Sequence, residues 1–175
     1  TINNLALEII KKITPHKIKN INKIVVITGN RLFIEFQNEI TKIKELKELE
    51  INSDELKFIK ENFINISIYK YCSNIANIYK DSALVISRSG GSTLAELLYL
   101  RKRALLIPYP YAMDNHQLYN AQTASEYANF IDYIQEPIDL DTSLEKIERL
   151  INTVPQYKKT INFFNYDEFF EKIKG

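Results

Sequence analysis

A chain of 175 residues with 45% hydrophobic content carries enough apolar surface for one well-packed domain. A formal net charge of +1 gives no broad footprint for nucleic acid, and no apolar run approaches the ~20 residues of a membrane span. The one cysteine, Cys72, excludes an internal disulfide and fits a reducing compartment.

Thr1 to Ile13 places Ile2, Leu5, Ile9, Ile10 and Ile13 at helical spacing and is predicted as an amphipathic helix ending before Pro15. No secretory signal stands at Thr1, and a start without methionine fits an excised piece or one subunit of something larger. Thr14 to Lys23 is a polar, basic connector, so residues 1–23 are expected to precede a domain over 24–175. Ile24 to Ile27 is predicted as a buried strand, followed by Thr28-Gly29-Asn30. Leu32 to about Leu49 is predicted as a charged helix, and Asp54 to Asn62 as another behind a Ser53 cap. Ile64 to Tyr69 should be a strand and Asn74 to Lys80 a short helix.

The stretch that organises the chain comes next. Ala83 to Ser87 is a short apolar run, the pattern of a buried parallel strand. Gly90-Gly91 is predicted to make a tight reversal that residues bearing a Cβ would resist. From Thr93 the pattern turns helical, with Leu94, Leu97, Leu98 and Leu100 forming an apolar stripe. A helix start of this kind presents unpaired N–H groups and the positive end of the dipole, which suit a diphosphate. Most strand-to-helix turns bind nothing, so the turn alone does not decide for a nucleotide or sugar phosphate.

Ala104 to Ile107 is a four-residue strand, and Pro108 to Asp114, with prolines at 108 and 110, is a shaped loop. Asn115 to Tyr127 is predicted helical, Asn129 to Ile134 a strand, and the remainder helical with a break at Pro155. Strands alternating with helices at this spacing predict an α/β fold with a doubly wound parallel sheet. The chain contains no internal repeat and no low-complexity tract.

Two readings of Glu96 stand side by side. Thr93-x-x-Glu96 matches a capping box, in which the carboxylate reaches back to the cap N–H. Alternatively the carboxylate accepts hydrogen bonds from both ribose hydroxyls of a nucleotide. Arg88 and Ser89, at the strand end, are placed to meet phosphate, or Arg88 is a surface arginine paired with an acidic neighbour. Arg101-Lys102-Arg103 sits where cations favour a helix C-terminus. Asp114-Asn115-His116-Gln117, with Asn120, offers clustered hydrogen-bonding groups that suit a sugar, or an Asx-type cap plus an exposed histidine. His116 has no Cys or His partner nearby, so no metal site is predicted, and His16 reads as solvated. No nucleophile triad or paired carboxylates stand out, which disfavours a self-contained hydrolase.

Ala83-Leu-Val-Ile-Ser-Arg-Ser-Gly-Gly-Ser-Thr-Leu-Ala-Glu96, then Leu106-Ile-Pro-Tyr-Pro-Tyr-Ala-Met-Asp-Asn-His-Gln-Leu-Tyr-Asn-Ala121, closely resembles the MurG family of bacterial N-acetylglucosaminyltransferases. The match is specific over residues 69–121 and extends from Ile24 to about Ile151. It covers the carboxyl-terminal, donor-binding, Rossmann-like half of a two-domain GT-B enzyme. The resemblance implies that Glu96 holds the ribose diol and that Gly91, Ser92 and Thr93 meet the diphosphate and sugar. Gln117 would orient the N-acetylglucosamine, with His116 and Asn120 beside it. Cys72, next to Tyr71, falls where the family's backbone recognises uracil, and Arg88 matches the strand-end arginine. The family's first turn is Gly-Gly-Ser-x-Gly. Here it is Thr28-Gly29-Asn30-Arg31-Leu32, where Asn30 keeps a hydrogen-bonding group but the glycines that allow close approach are lost.

The resemblance implies UDP-N-acetylglucosamine as donor, lipid-linked muramyl-pentapeptide as acceptor, and inverting displacement in peptidoglycan synthesis. It implies no cofactor, no metal and no nucleic-acid partner. The catalytic base belongs to an amino-terminal acceptor half, so no catalytic residue is expected in this chain. A cytoplasmic place at the inner face of the plasma membrane would follow through that half. Two alternatives remain: a donor subunit of a split transferase, docking through the apolar face of Thr1 to Ile13, and a non-catalytic interaction module.

Overall fold

A computed structural model describes residues 2–12, 23–28, 32–44, 46–51, 54–60 and 64–158. The chain divides into two compact units, Ile2–Ile78 and Tyr79 onward.

In the first unit, α1 (Ile2–Lys12) buries Leu5, Leu7, Ile9 and Ile10. Of the apolar face that the split-transferase alternative offers as a docking surface, Leu5, Ile9 and Ile10 are already covered, which corrects the expectation for those residues; Ile2 is half-buried and Ile13 lies outside the described residues. Strand β1 (Lys23–Ile27) is followed by α2 (Phe33–Ile40), β2 (Leu46–Ile51), β3 (Glu55–Lys60) and β4 (Ile64–Tyr69). The sheet order is β1-β4-β3-β2. β1 and β4 run parallel, with Val25 opposite Ser67, whereas β3 pairs antiparallel with both β4 and β2.

Two predicted helices are thus overturned. The helix expected over 32–49 stops at Ile40, and its second half is β2. The helix expected over 54–62 is β3, and Ser53 lies outside the described residues. In β3, Leu56, Phe58 and Lys60 are buried while Glu55, Lys57 and Ile59 are half-exposed, a period of two that pairing with β4 rewards. The first unit's sheet is therefore mixed, with β1 and β4 parallel and β4, β3 and β2 antiparallel, rather than part of one all-parallel sheet.

Lys60 is 2% exposed, and its ammonium donates to the carbonyls of Ile10 at 2.6 Å and Lys11 at 2.7 Å. Those carbonyls belong to the last turn of α1, which has no intrahelical donors for them, and the positive charge also suits the helix dipole. Lys60→Met keeps the apolar stem but leaves the carbonyls unmatched. We expect an unfolding free energy lower by about 1–3 kcal/mol, read from the urea midpoint.

Helix α3 (Ile75–Asp81) leads into the second unit, which holds β5 (Val85–Ser87), α4 (Gly91–Tyr99), β6 (Ala104–Leu106), α5 (His116–Tyr127), β7 (Ile131–Tyr133) and α6 (Leu140–Asn152). The three strands are all parallel in the order β5-β6-β7, with Ile86, Leu105 and Asp132 in register. β6 is central and wholly buried, as an unbroken apolar run requires. α4 covers the core with Leu94, Leu97 and Leu98, and α6 does so with Ile147 and Leu150. This is the expected α/β pattern of strand, turn, helix and parallel return. Over residues 153–158, which follow α6, the chain is not helical, and the rest of the helix expected there lies outside the described residues. The Tyr157 hydroxyl donates to Leu98 O at 2.6 Å and its ring packs edge-on to buried Phe130. Among the described residues no helix is long and apolar enough to cross a membrane.

Candidate functional site

Both connections that matter lie at the carboxyl edge of the parallel sheet, where ligands of α/β proteins bind. One is the turn from β5 into α4; the other is the proline loop from β6 into α5.

The first turn differs from expectation in two ways. Gly90 has φ −66° and ψ 148°, ordinary extended backbone, so the turn itself does not demand a glycine. Nor does packing, because a Cβ at Gly90 would meet no atom within 4 Å. The glycine leaves open space beside the helix start. Secondly, Gly90 is the N-cap, which puts Thr93 two residues inside the helix, and no side chain caps this end. The capping box of Thr93 and Glu96 does not form. Glu96 is exposed one turn further on; its carbonyl accepts from the Leu100 N–H within the helix, while its carboxylate stands at the surface. Its charge is nonetheless felt beneath it. Burial, reinforced by the Glu96 carboxylate, raises the Tyr79 hydroxyl above its ordinary range, while a hydrogen bond with Thr93 pulls it down. Tyr79 and Thr93 thus meet beside Glu96, a contact that nothing local in the sequence marks.

The second connection is tied to the first by buried polar groups. Ser89 is 0% exposed, and its hydroxyl donates to Gln117 O at 2.7 Å. Asn120, also 0% exposed, donates through Nδ2 to Ser89 O at 3.1 Å. The Asn120 side chain is therefore spent on holding α5 against the β5 turn, not presented at the surface. The Gln117 side chain accepts from the Tyr109 N–H through Oε1 at 2.9 Å, which leaves its NH2 as the group on offer. His116 places Nδ1 2.7 Å from Met113 O, a carbonyl that can only accept, so Nδ1 is the donor there and Nε2 is the ring nitrogen left to a ligand.

Asp114 (φ 52°) and Asn115 (φ 53°) are both left-handed, an uncommon pairing for residues with side chains. Asn115 forms no side-chain cap, so the Asx-cap reading of this segment is not realised. The strained pair instead turns the chain abruptly, so that α5 begins at His116 with Gln117 next to it.

Arg88 takes the second of its two readings. Its guanidinium pairs with Glu136 at 2.9 Å and donates to Ile107 O at 3.0 Å and Pro108 O at 3.1 Å. Glu136 was not foreseen, since nothing local in the sequence links it to a residue so far away in the chain. Cys72 is free and half-buried in the first unit, beside the exposed Tyr71. In the first turn, Thr28 N donates to Tyr69 O at 3.0 Å, while Asn30 lies outside the described residues. Among the described residues no group of three His, Cys, Asp or Glu side chains is placed to hold a metal ion.

The sequence matches the glycosyltransferase family 28 C-terminal domain over residues 1–172. The chain belongs to that family. A family 28 relative from Pelagibacter ubique (strain HTCC1062) is 33% identical over 127 residues, covering 70% of this chain and 36% of the relative. One from Elusimicrobium minutum (strain Pei191) is 52% identical over 56 residues, covering 32% of this chain and 16% of the relative. Both are named UDP-N-acetylglucosamine–N-acetylmuramyl-(pentapeptide) pyrophosphoryl-undecaprenol N-acetylglucosamine transferase. Among solved structures, the crystal structure of Acinetobacter baumannii MurG superposes with a TM-score of 0.63 at 18% identity, covering 86% of this chain and 37% of that one. At that identity the likeness speaks for the fold. The matched stretches cover well under half the length of the two relatives.

Proposed function

We propose that this family 28 domain binds UDP-N-acetylglucosamine for a MurG-like inverting transferase that glycosylates lipid-linked muramyl-pentapeptide in peptidoglycan synthesis. The observation that carries the reading is the start of α4. It is an uncapped helix end, entered through a glycine that neither backbone nor packing requires, with an exposed carboxylate one turn on. A diphosphate needs that open approach, and the N–H groups of Gly91, Ser92 and Thr93 would receive it. Glu96 would take the ribose hydroxyls, and the Gln117 amide, with His116 beside it, would read the sugar. Cys72 and Tyr71 are proposed for the uracil and Asn30 for phosphate.

The acceptor hydroxyl would attack the anomeric carbon from the face opposite the diphosphate, inverting it as the C–O bond to UDP breaks. Charge growing on the departing diphosphate would fall on the helix N-terminus, whose N–H groups need no reorganisation. The base that takes the acceptor's proton, and the acceptor site, would belong to the other half of the enzyme, which would also bring the domain to the inner face of the plasma membrane. No cofactor enters this scheme.

Calorimetric titration of the native, full-length protein is the test. Saturable binding of UDP-N-acetylglucosamine, stronger than that of UDP-glucose, is expected, and no binding at millimolar donor would sink the reading. Gly90→Ala gives a sharper check. With φ and ψ ordinary and space free, folding should cost about 1 kcal/mol at most, from the poorer cap. Affinity for UDP should nevertheless fall by roughly tenfold, because the new methyl group occupies the approach of the diphosphate.

A further inference from the structure

The guanidinium of Arg88 is engaged by groups of the protein itself rather than offered to a ligand. Three of its contacts go to consecutive residues at the start of the proline loop: Ile107 O, Pro108 O and the Tyr109 ring, 5.4 Å to its centroid. The fourth is Glu136, an ion pair by distance rather than an aligned hydrogen bond, whose charge cancels much of the arginine's field locally. A rigid planar fork suits holding backbone carbonyls in fixed positions. The next group along this backbone is the Tyr109 N–H, which donates to Gln117 Oε1 at 2.9 Å. Because the amide is planar, fixing Oε1 fixes the direction of the NH2.

We infer that Arg88 is a positioning residue for the sugar-reading amide of Gln117, acting through the Ile107–Tyr109 backbone, and that Glu136 keeps it at that task and away from the diphosphate. The inference rests on the donor-binding reading above. It separates two parts of one ligand: UDP, which Arg88 should not affect, and the sugar, which it should.

Titrating the native, full-length protein with UDP and with UDP-N-acetylglucosamine gives the sugar's contribution as the ratio of the two affinities. In Arg88→Gln this ratio should fall roughly tenfold, to the level of Gln117→Ala, with UDP affinity held within about twofold. The double variant should lose no more than either single one, since both substitutions act on one amide. A tenfold or greater drop in UDP affinity at an unchanged ratio would put Arg88 on the diphosphate and overturn the inference, as would losses that multiply in the double variant.

Glu136→Gln carries the test if Arg88→Gln does not fold, because it keeps shape and leaves Arg88 in place. A reduced ratio at unchanged UDP affinity is expected. A several-fold gain in UDP affinity would mean that the released arginine reaches the diphosphate, which overturns the inference. Wild-type protein that binds UDP with no gain from the sugar refutes the role of Gln117 and this inference with it. Wild-type protein that binds neither ligand refutes the donor reading itself.

Discussion

Glu96→Ala is expected to weaken UDP binding by roughly 100-fold while the protein melts at its usual temperature. The size follows from the proposed contact. A carboxylate accepting from two ribose hydroxyls makes two charge-assisted hydrogen bonds of about 1.5–3 kcal/mol each, and losing part of that total already exceeds tenfold in affinity. Stability should not follow, because Glu96 is exposed on α4 and alanine is the better helix former. The check is a cycle with a ligand lacking the ribose hydroxyls. If Glu96 holds the diol, 2′,3′-dideoxy-UDP loses much of its affinity for the wild-type protein and little more in the variant. Equal losses for both ligands in Glu96→Ala would mean that the carboxylate acts elsewhere.

This prediction stands on the part of the chain that its sequence made legible. Ala83 to Ser87 and Ala104 to Ile107 are short apolar runs that read as buried parallel strands, and β5 and β6 form within them, each leading into a helix of the second unit. The glycines at 90 and 91 pointed to the turn for a partly wrong reason: Gly90 relieves no backbone strain, and its missing side chain matters for the space outside it. Local reasoning failed where pairing decides. Residues 55–60 follow a cap-like Ser53-Asp54 and are rich in helix formers, yet β4 supplies a partner strand and the alternation of Leu56, Phe58 and Lys60 prevails. It failed too for groups that meet only in three dimensions. Arg88 with Glu136, Tyr79 with Thr93, and Lys60 with the end of α1 each join residues distant in sequence, and no spacing rule reaches them.

Asn120 falls between these cases and yields the other large effect. The sequence marks it as one hydrogen-bonding group in a cluster suited to a sugar, but it shares its buried helix face with Ala121 and Ala124. The small alanines let α5 approach closely, and at 0% exposure the amide is enclosed with its Nδ2 on Ser89 O. Asn120→Asp preserves the shape and removes the donor. At neutral pH the new carboxylate would be buried facing a carbonyl oxygen, and an uncompensated charge of that kind costs about 3–5 kcal/mol. Protonation restores an O–H that can donate to Ser89 O. The folded state would therefore bind the proton more tightly than the unfolded one, raising the new group's pKa on folding. With that sign, the variant's deficit should be largest above the raised pKa and shrink as pH falls towards the unfolded carboxyl's value, opposite to the usual loss of stability in acid. Urea unfolding of wild type and variant between pH 8 and about 5 measures this directly. A deficit that does not change with pH would show that the amide's contact with Ser89 is not what the substitution breaks. The same clamp fixes Gln117 through the Ser89 hydroxyl, so donor affinity measured across that range should recover together with stability.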